Sequence, residues 1–280
     1  MTNKSYNLSI CDISIQYALN GIDSSIEERL LPFLKDNKDY DIKINVDKVK
    51  NIEFPKKSIP ISVSHFNYVL DNEKNYIWAD YCKSALISSS ADWCKATISA
   101  TRNMHTHIEE SYLLNLLQGN LSKNKGFILH GSVIKYGNEG IIFTASSGVG
   151  KSTQAELWRK YEKAEIINGD KAFIRCFSDE VMVYGSPWSG SSNIIKNEKA
   201  PLKAIIVLEQ GKENKIRELK DLEKLCLFNT HVYYPYWDKS LVNLVMETLN
   251  VVLKKVPVYL LSCKPEREAV SITKKTLEFF

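Results

Sequence analysis

Residues 145–153 read A-S-S-G-V-G-K-S-T, and this stretch is the strongest indication of the fold of the second half of the chain. An apolar run, 141–143, precedes it, and a segment of helical composition follows it. A strand that ends in glycines and continues as Gly-Lys-Ser-Thr is typical of a loop whose backbone N–H groups surround phosphate oxygens. Lys151 is then expected to reach the outer phosphates, and the Ser152 hydroxyl to bind Mg²⁺. The alternative interpretation is an ordinary strand-to-helix turn.

The stretch departs at one position from the phosphate-loop pattern G-x-x-x-x-G-K-[ST], because Ala145 replaces the first glycine. Alanine is tolerated there if the position does not need a positive φ. The residues expected to bind the phosphates of a nucleotide are Ser147, Gly148, Val149, Gly150, Lys151, Ser152 and Thr153.

The composition favours a soluble globular protein. The length of 280 residues fits one large domain or two smaller ones, and 44% of the residues are apolar and 25% charged. The net charge of +4 comes with scattered lysines, which does not indicate nucleic-acid binding. The start of the chain lacks the pattern of a secretion signal, and no apolar run approaches the roughly 18 residues of a membrane span. We therefore expect a cytoplasmic protein without nucleic-acid or membrane partners.

The six cysteines are far apart in the sequence and form no C-x-x-C pair. This spacing argues against a zinc site and indicates reduced, buried thiols.

The first hundred or so residues predict a separate α+β unit, 1–105. Alternating apolar residues predict strands at 6–17, 41–46, 62–68, 85–89 and 96–100. A short helix is expected at 25–35, although Pro32 would kink or shorten it. No catalytic pattern occurs in this part of the sequence. We therefore expect it to recognise a substrate or a partner.

Residues 106–118 predict a helix that ends at Gly119 and begins the second domain, 106–280. His105 and His107, with Glu109 nearby, have a spacing that could serve a metal. They lie at a helix start without a third good ligand, so the favoured interpretation is that they are ordinary helix residues.

Two strands, 127–136 and 141–144, are expected to form a hairpin that leads into the phosphate loop. If its turn is centred between residues 138 and 139, opposed residue numbers sum to 277. His130 then lies opposite Ser147, beside the loop, where it is a candidate for contacting the transferring phosphate. The alternative is a partly buried strand histidine.

A helix is expected at 152–163, followed by E-I-I-N-G-D at 165–170. This places Asp170 at a strand end, where a carboxylate can support Mg²⁺ or accept a hydroxyl proton. A plain hairpin turn is the alternative. The following S-P-W-S-G-S-S-N, 186–193, is either a loop that approaches a ligand or a rigid turn whose tryptophan fills the core. Further strands are predicted at 172–177, 181–186, 202–210 and 256–262, and helices at 222–228, 240–252 and 265–276.

These features together resemble the HPr kinase/phosphorylase superfamily. More narrowly, they are similar to the HPr-kinase-related proteins found with ribosomally made peptide clusters, including the lasso-peptide serine kinases. The resemblance covers about residues 110–280, and the S-P-W-S-G loop is similar to one in those related proteins. It is carried by Leu129-His130-Gly131, the hairpin, S-S-G-V-G-K-S-T, the acidic strand end at 170, and a terminal V-P-V-Y strand with its P-E-R-E-A-V helix.

The resemblance implies an α/β fold, with a phosphoenolpyruvate-carboxykinase/HPr-kinase-like P-loop domain and a small N-terminal α+β domain. It implies that ATP, or another nucleoside triphosphate, and Mg²⁺ are used to phosphorylate a serine hydroxyl of a peptide or protein. It also implies that homo-oligomers can form. By the same resemblance, His130, Lys151 and Asp170 are the catalytic residues, and Ser152 and Asp170 bind the metal.

The sequence departs from the family in two further places. Gly169 stands where the family has the first of two adjacent aspartates, so Asp170 is left alone, and a Glu-Ile-Arg-Gly-type segment is missing. The resemblance therefore does not extend to the reverse, phosphorylase reaction or to HPr as the substrate. Two other functions stay open: a small-molecule or carboxykinase-like phosphotransferase, and a non-catalytic nucleotide-binding module of a peptide-modifying complex.

Overall fold

The computed structural model describes residues 3–22, 25–36, 39–55, 60–63, 65–101 and 106–279, without the side chains of 82, 106–110 and 221. The chain divides into two compact units, Met1–Lys123 with Pro235–Asn243, and Asn124–Tyr234 with Leu244–Phe280. Each unit is built on one sheet with helices, so the fold is mixed α/β. None of the described helices combines the length and apolar character needed to cross a membrane.

The first unit contains an eight-stranded sheet in the order β1-β2-β3-β8-β7-β6-β5-β4. Strands β2, β3 and β8 run parallel, and the other neighbours are antiparallel. The elements are β1 Asn3–Ile10, β2 Ile13–Asn20, a 3-10 helix Glu28–Phe33, β3 Ile42–Lys48, β4 Ile61–Val63, β5 Phe66–Leu70, β6 Lys74–Ala79, β7 Cys82–Ser90, β8 Lys95–Ala100 and α1 Thr106–Lys123.

Three predicted elements of this unit are corrected by the structure. The strand expected at 6–17 is two strands, β1 and β2, because Cys11 and Asp12 adopt φ values of 57° and 54° and reverse the chain. The strand expected at 62–68 is divided between β4 and β5. The helix expected at 25–35 is only the 3-10 helix, since Pro32 lies inside it.

Helix α1 continues through Gly119, where we predicted its end. A Cβ on Gly119 would overlap the Trp93 ring, so this glycine is required by close packing and not by a helix terminus. The Tyr112 hydroxyl donates to the Ala85 carbonyl at 3.1 Å and ties α1 to the sheet. The helix therefore belongs to the first unit, whose N-terminal segment runs to Lys123, whereas we predicted a boundary at 105/106.

The described cysteine side chains differ in burial. Cys11 and Cys176 are buried, Cys94 and Cys263 are partly exposed, and Cys226 is exposed. The expectation of buried thiols is therefore wrong for three of these five. His105 lies outside the described residues, and so do the side chains of His107 and Glu109.

The second unit contains a nine-stranded sheet. Its elements are β9 Gly126–Tyr136, β10 Glu139–Thr144, α2 Lys151–Glu162, β11 Glu165–Asn168, β12 Lys171–Cys176, β13 Val181–Tyr184, a 3-10 turn Gly190–Ser192, β14 Lys199–Gln210, β15 Lys215–Glu218, α3 Asp221–Asn229, β16 Val232–Tyr233, α4 Lys239–Lys255, β17 Val258–Cys263 and α5 Arg267–Thr276. Helix α4 begins in the segment that belongs to the first unit. The predicted strands and helices of this half are confirmed to within a few residues.

Strand β10 lies between β9, to which it is antiparallel, and β14, to which it is parallel. Strand β17 extends this parallel part beside β14. Helices α2 and α5 contribute residues to the same core as these strands, in which Phe143 and Trp158 are fully buried. The loop that follows β10 is therefore anchored at both ends by buried elements.

Candidate active site

The glycine loop between β10 and α2 has the conformation that its sequence requires. Ala145 is buried and is absent from the described residues with positive φ, which explains why alanine fits there. Gly148 and Gly150 have φ values of +82° and +127°, which side chains other than glycine rarely allow. A Cβ on Gly148 would meet nothing within 4 Å, so the loop faces open space. Ser147, Ser152 and Thr153 are exposed beside it.

Lys151 is the first residue of α2 and is 8% exposed. Its Nζ donates to the carbonyls of Ala145 at 3.0 Å and Ser146 at 3.3 Å. Burial lowers the pKa of Lys151, and the negative charge of Asp170 opposes this effect. A desolvated ammonium bonded to neutral carbonyls gains more from a phosphate than an exposed lysine does.

Asp170 and His130 lie side by side. His130 Nδ1 is 3.1 Å from Asp170 Oδ1, and Lys171 Nζ donates to Asp170 Oδ2 at 2.7 Å. The bonds to His130 and then to Lys171 hold the pKa of the Asp170 carboxyl well below its usual range, although burial acts in the opposite direction. Asp170 is therefore an anion at neutral pH, with each oxygen beside a side-chain nitrogen.

His130 reaches this position through a hairpin register that differs from the prediction. Tyr136 pairs with Glu139, so opposed residue numbers sum to 275, and His130 does not lie opposite Ser147. The cause is a two-residue turn that begins at Gly137, whose φ of +60° suits the first position of a type II′ turn. Since the register differs by two residues, the face on which His130 lies is unchanged.

Strands β11 and β12 do not form a hairpin with each other, so the interpretation of 168–170 as a plain hairpin turn is wrong. Both strands pair antiparallel with β9, one after the other. Lys171 lies opposite His130, and the Gly131 N–H donates to the Asp170 carbonyl at 2.9 Å. The break between the two strands therefore places Asp170 next to His130.

Asn168, which the sequence analysis did not single out, organises this break. It is fully buried, and its Oδ1 accepts the backbone N–H groups of Asp170 and Lys171, each at 2.9 Å. Its Nδ2 donates to the carbonyls of Ser186 and Trp188, each at 3.1 Å. The sequence indicated a turn at Asn-Gly, but only the fold brings 186–193 within reach of the same side chain.

The segment 186–193 packs on the Gly169–Asp170 turn. A Cβ on Gly169 would overlap Ser192 Oγ, and one on Gly190 would lie 2.9 Å from Asp170 Cβ. An aspartate at 169 therefore has no space in this protein. Trp188 is buried and stacks on Phe173 at 5.6 Å, as expected if the tryptophan fills the core.

Two residues that the sequence analysis missed, His231 and Tyr233, reach the site because β16 pairs with β9. The backbone N–H of His130 donates to the backbone carbonyl of His231 at 2.8 Å. The Tyr233 ring centroid is 6.3 Å from that of His130 and 5.7 Å from Lys171 Nζ. Burial lowers the pKa of His231 and raises that of Tyr233. No local pattern in T-H-V-Y could have indicated this pairing.

The described residues contain no group of three or more His, Cys, Asp or Glu side chains placed to hold a metal ion by themselves. Mg²⁺ that accompanies a nucleotide takes most of its ligands from phosphate and water, and needs only one or two protein oxygens. The exposed Ser152 hydroxyl at the start of α2 fits that requirement. Asp170 fits it less well, because His130 and Lys171 occupy its oxygens.

No protein-family model and no curated protein matches the chain. Among solved structures, the chain is similar to the HPr(Ser) kinase/phosphatase from Coxiella burnetii, with 10% identity and a TM-score of 0.33. The match covers 54% of this chain and 98% of that chain. This is a distant likeness of fold. The function proposed below rests on the geometry of the site described above.

Proposed function

We propose that this protein is an ATP- and Mg²⁺-dependent kinase that phosphorylates a hydroxyl group, and that the acceptor is a serine of a peptide or protein. The observation that carries the proposal is the Asp170 carboxylate, which lies 3.1 Å from His130 Nδ1 and pairs with Lys171. Its negative charge raises the pKa of Lys151 in the glycine loop. Phosphoryl transfer depends mainly on positioning and on neutralising charge. An anion-binding loop beside a fixed carboxylate supplies both.

The glycine loop is the proposed phosphate site. Lys151 would exchange its carbonyl partners for phosphate oxygens, with the loop N–H groups and the α2 dipole contributing. Ser152 is the proposed protein ligand of the metal. A bound magnesium nucleotide supplies the phosphoryl group and part of the neutralising charge.

Asp170 is the proposed acceptor-binding residue. Because its pKa lies well below the usual range, it is a weak base, and orienting the acceptor hydroxyl is the role that suits it. His130 and Lys171 keep it in place, and Lys171 provides positive charge beside the proposed site of transfer. For Asp170 to bind the metal as well, one of these two partners has to move.

A non-catalytic nucleotide-binding module is the second candidate, and the packing at Gly169 favours it. The space of a second carboxylate is filled by Ser192, so a pair of aspartates cannot form. This candidate predicts nucleotide binding without transfer. Recognition of the acceptor by the first unit, assembly into homo-oligomers and a cytoplasmic location stay predictions.

The test is transfer of label from γ-labelled ATP, with Mg²⁺, to serine peptides encoded beside the gene. Lys151→Ala should lower nucleotide affinity by about ten- to a hundredfold, the equivalent of a charged hydrogen bond, and abolish transfer. Lys160→Ala is the matched control, because Lys160 is exposed on the same helix. Labelled serine that disappears only with Lys151→Ala supports the proposal.

Other outcomes separate the alternatives. Binding that depends on Lys151, with label on a metabolite but not on peptide, would identify a small-molecule kinase. Binding without any transfer would identify the non-catalytic module. Equal behaviour of the Lys151 and Lys160 variants would reject the glycine loop as the nucleotide site.

A further inference from the structure

The open face of the first unit's sheet carries polar side chains in rows that run across the strands. The opposite face is the buried core, to which Ile42, Ile44 and Val46 of β3 point. Read from β3 through β8 and β7 to β6, the strand register gives the first row as Lys43, Lys95, Ser90 and Lys74. The second row is Asn45, Thr97, Ser88 and Tyr76. The register therefore collects three lysines and several small polar side chains near one end of these strands.

These rows, apart from Tyr76, line a cleft of about 510 Å³, to which Tyr40 and Glu73 also contribute. Short serine and threonine side chains separate the longer lysines, which leaves this space. Its volume falls in the range of roughly 300–1,000 Å³ that ligand sites occupy. The cleft is therefore large enough for a ligand that carries several polar groups.

The lysines of the cleft lack an internal counter-charge. The Nζ atoms of Lys43, Lys74 and Lys95 make no hydrogen bond or ion pair with any residue that the structure describes. Within the described lining, Glu73 is the single carboxylate, so three lysines against one acidic group leave a formal charge of +2. A basic surface that the protein does not neutralise itself attracts an acidic partner.

Two carboxylates close to the first row are committed to other donors. Asp71 Oδ1 accepts the backbone N–H of Lys74 at 2.6 Å, and Asp92 Oδ1 accepts that of Cys94 at 3.0 Å. The Ser90 hydroxyl also donates to Asp92. These aspartates therefore hold the turns that flank the cleft.

Lys43 and Lys95 are direct neighbours on the parallel strands β3 and β8. Like charges side by side on a sheet repel each other and destabilise it. A neutral residue at either position would avoid this repulsion, so the pair costs stability in the free protein. A bound anion would offset that cost.

The geometry points to this cleft as a binding site for an acidic peptide segment, whose carboxylates pair with the lysines. From Lys95 to Lys74 the row extends over two strand spacings, or about 10 Å. A small anion fills one end of such a row, whereas an extended peptide presents the side chains of alternate residues about 7 Å apart. Single-stranded nucleic acid is less suited, because its sites stack bases on aromatic side chains and the described lining offers Tyr40 alone. The inference goes beyond the proposed function and does not depend on it.

Fluorescence anisotropy with labelled octaglutamate tests the site on the full chain, at about 0.15 M salt, where long-range attraction is screened. Lys43→Gln/Lys95→Gln should bind octaglutamate about five- to thirtyfold more weakly, because two ion pairs are lost. The matched control is Lys48→Gln/Lys83→Gln, which removes the same charge from two exposed positions outside the cleft and should bind as the wild type does. Octaglutamine, the neutral probe, should not bind.

Thermal unfolding of the free protein supplies a second measurement. Lys95→Gln should raise the melting temperature by about 1–3 °C, because the repulsion from Lys43 is removed, whereas Lys48→Gln should leave it unchanged. Octaglutamate should raise the melting temperature of the wild type more than that of Lys43→Gln/Lys95→Gln. A lower melting temperature in Lys95→Gln would show that this lysine supports the fold, and would overturn the inference.

The remaining outcomes separate the peptide from other occupants. Absence of octaglutamate binding, or equal losses in the two double variants, would overturn the site. Displacement by inorganic phosphate as effective as that by unlabelled octaglutamate would identify a small-anion site, and tighter binding of oligouridylate would identify nucleic acid; either result overturns the peptide assignment. Lys151→Ala should bind octaglutamate as the wild type does, so failure of the proposed function leaves this inference standing.

Discussion

Asp170 is the residue on which the proposed chemistry depends. Its two oxygens lie beside His130 Nδ1 and Lys171 Nζ, and these neighbours hold the pKa of its carboxyl well below the usual range. A carboxylate in that state attracts and orients a hydroxyl proton without removing it early. This suits a reaction in which the phosphoryl group carries most of the charge change.

The depressed pKa of Asp170 has a consequence for stability. An aspartate in an unfolded chain titrates near about 3.9, so a lower pKa in the folded state stabilises the fold fully above that pH. The stabilisation is lost as the pH falls towards the folded-state pKa. Asp170→Asn should therefore lower the free energy of unfolding at pH 7, and the difference from the wild type should shrink at a pH of about 3.

Urea unfolding at the two pH values measures this difference. Asp179→Asn, which removes an exposed carboxylate from the turn after β12, is the control. A loss in Asp170→Asn that is the same at both pH values, or equal to that of the control, would contradict the proposed ion pairs.

Gly169 has no room for a side chain, because Ser192 packs against it. Gly169→Ala should destabilise the protein, because the added Cβ overlaps Ser192 Oγ. Ser192→Gly removes that atom, so the double variant Gly169→Ala/Ser192→Gly should recover most of the loss. Thermal unfolding of the two single variants and the double variant measures the coupling. Additive losses would show that Ser192 does not fill this space.

At the scale of elements, the segment 186–193 is attached to the site by Asn168. Its Nδ2 donates to the Ser186 and Trp188 carbonyls, and its Oδ1 holds the turn at Asp170. Asn168→Asp would turn the donor into an oxygen that faces those carbonyls. We expect a loss of at least about 3 kcal/mol in the free energy of unfolding, since two buried acceptors lose their donor.

Hydrogen exchange localises that effect. The amides of 186–193 should lose protection in Asn168→Asp before the rest of the second unit does. Asn193→Asp, an exposed change in the same segment, is the control and should leave exchange unchanged. Uniform loss of protection across the unit would argue against a specific attachment of this segment.

Strand β9 is the element that assembles the site. It pairs with β10, β11, β12 and β16, and so brings the glycine loop, the Asp170 turn and Tyr233 to one strand. The hairpin with β10 could be predicted because it is local. Its register differs from the prediction because the turn begins at Gly137. The pairing with β16 could not be predicted, since it joins residues about a hundred positions apart.

At the scale of the whole molecule, the chain leaves the second unit and returns to the first for one short segment, Pro235–Asn243. Within the first unit, Trp237 is 5% exposed and stacks on Tyr68 with ring centroids 4.5 Å apart. The two units are therefore not separable by a single cut in the sequence.

Trp237→Ala should destabilise the sheet of the first unit by about 3–5 kcal/mol, the usual cost of deleting a buried aromatic side chain. Its neighbour Tyr236 is 64% exposed, so Tyr236→Ala is the control and should have little effect. Urea unfolding with detection by circular dichroism measures both. A small loss in Trp237→Ala would mean that this segment contributes little to the first unit.

The sequence predicted most strands and helices of the second half, though not β15 and β16, and it predicted the glycine loop between β10 and α2. These depend on local periodicity and on the residues that permit positive φ, as at Gly148 and Gly150. It also indicated His130 and Asp170 as candidates. Only the tertiary structure decided their contact, because β12 and β16 reach β9 by pairing between distant segments. The same non-local packing places Ser192 against Gly169 and Gln154 beside Cys263, which no local pattern specifies.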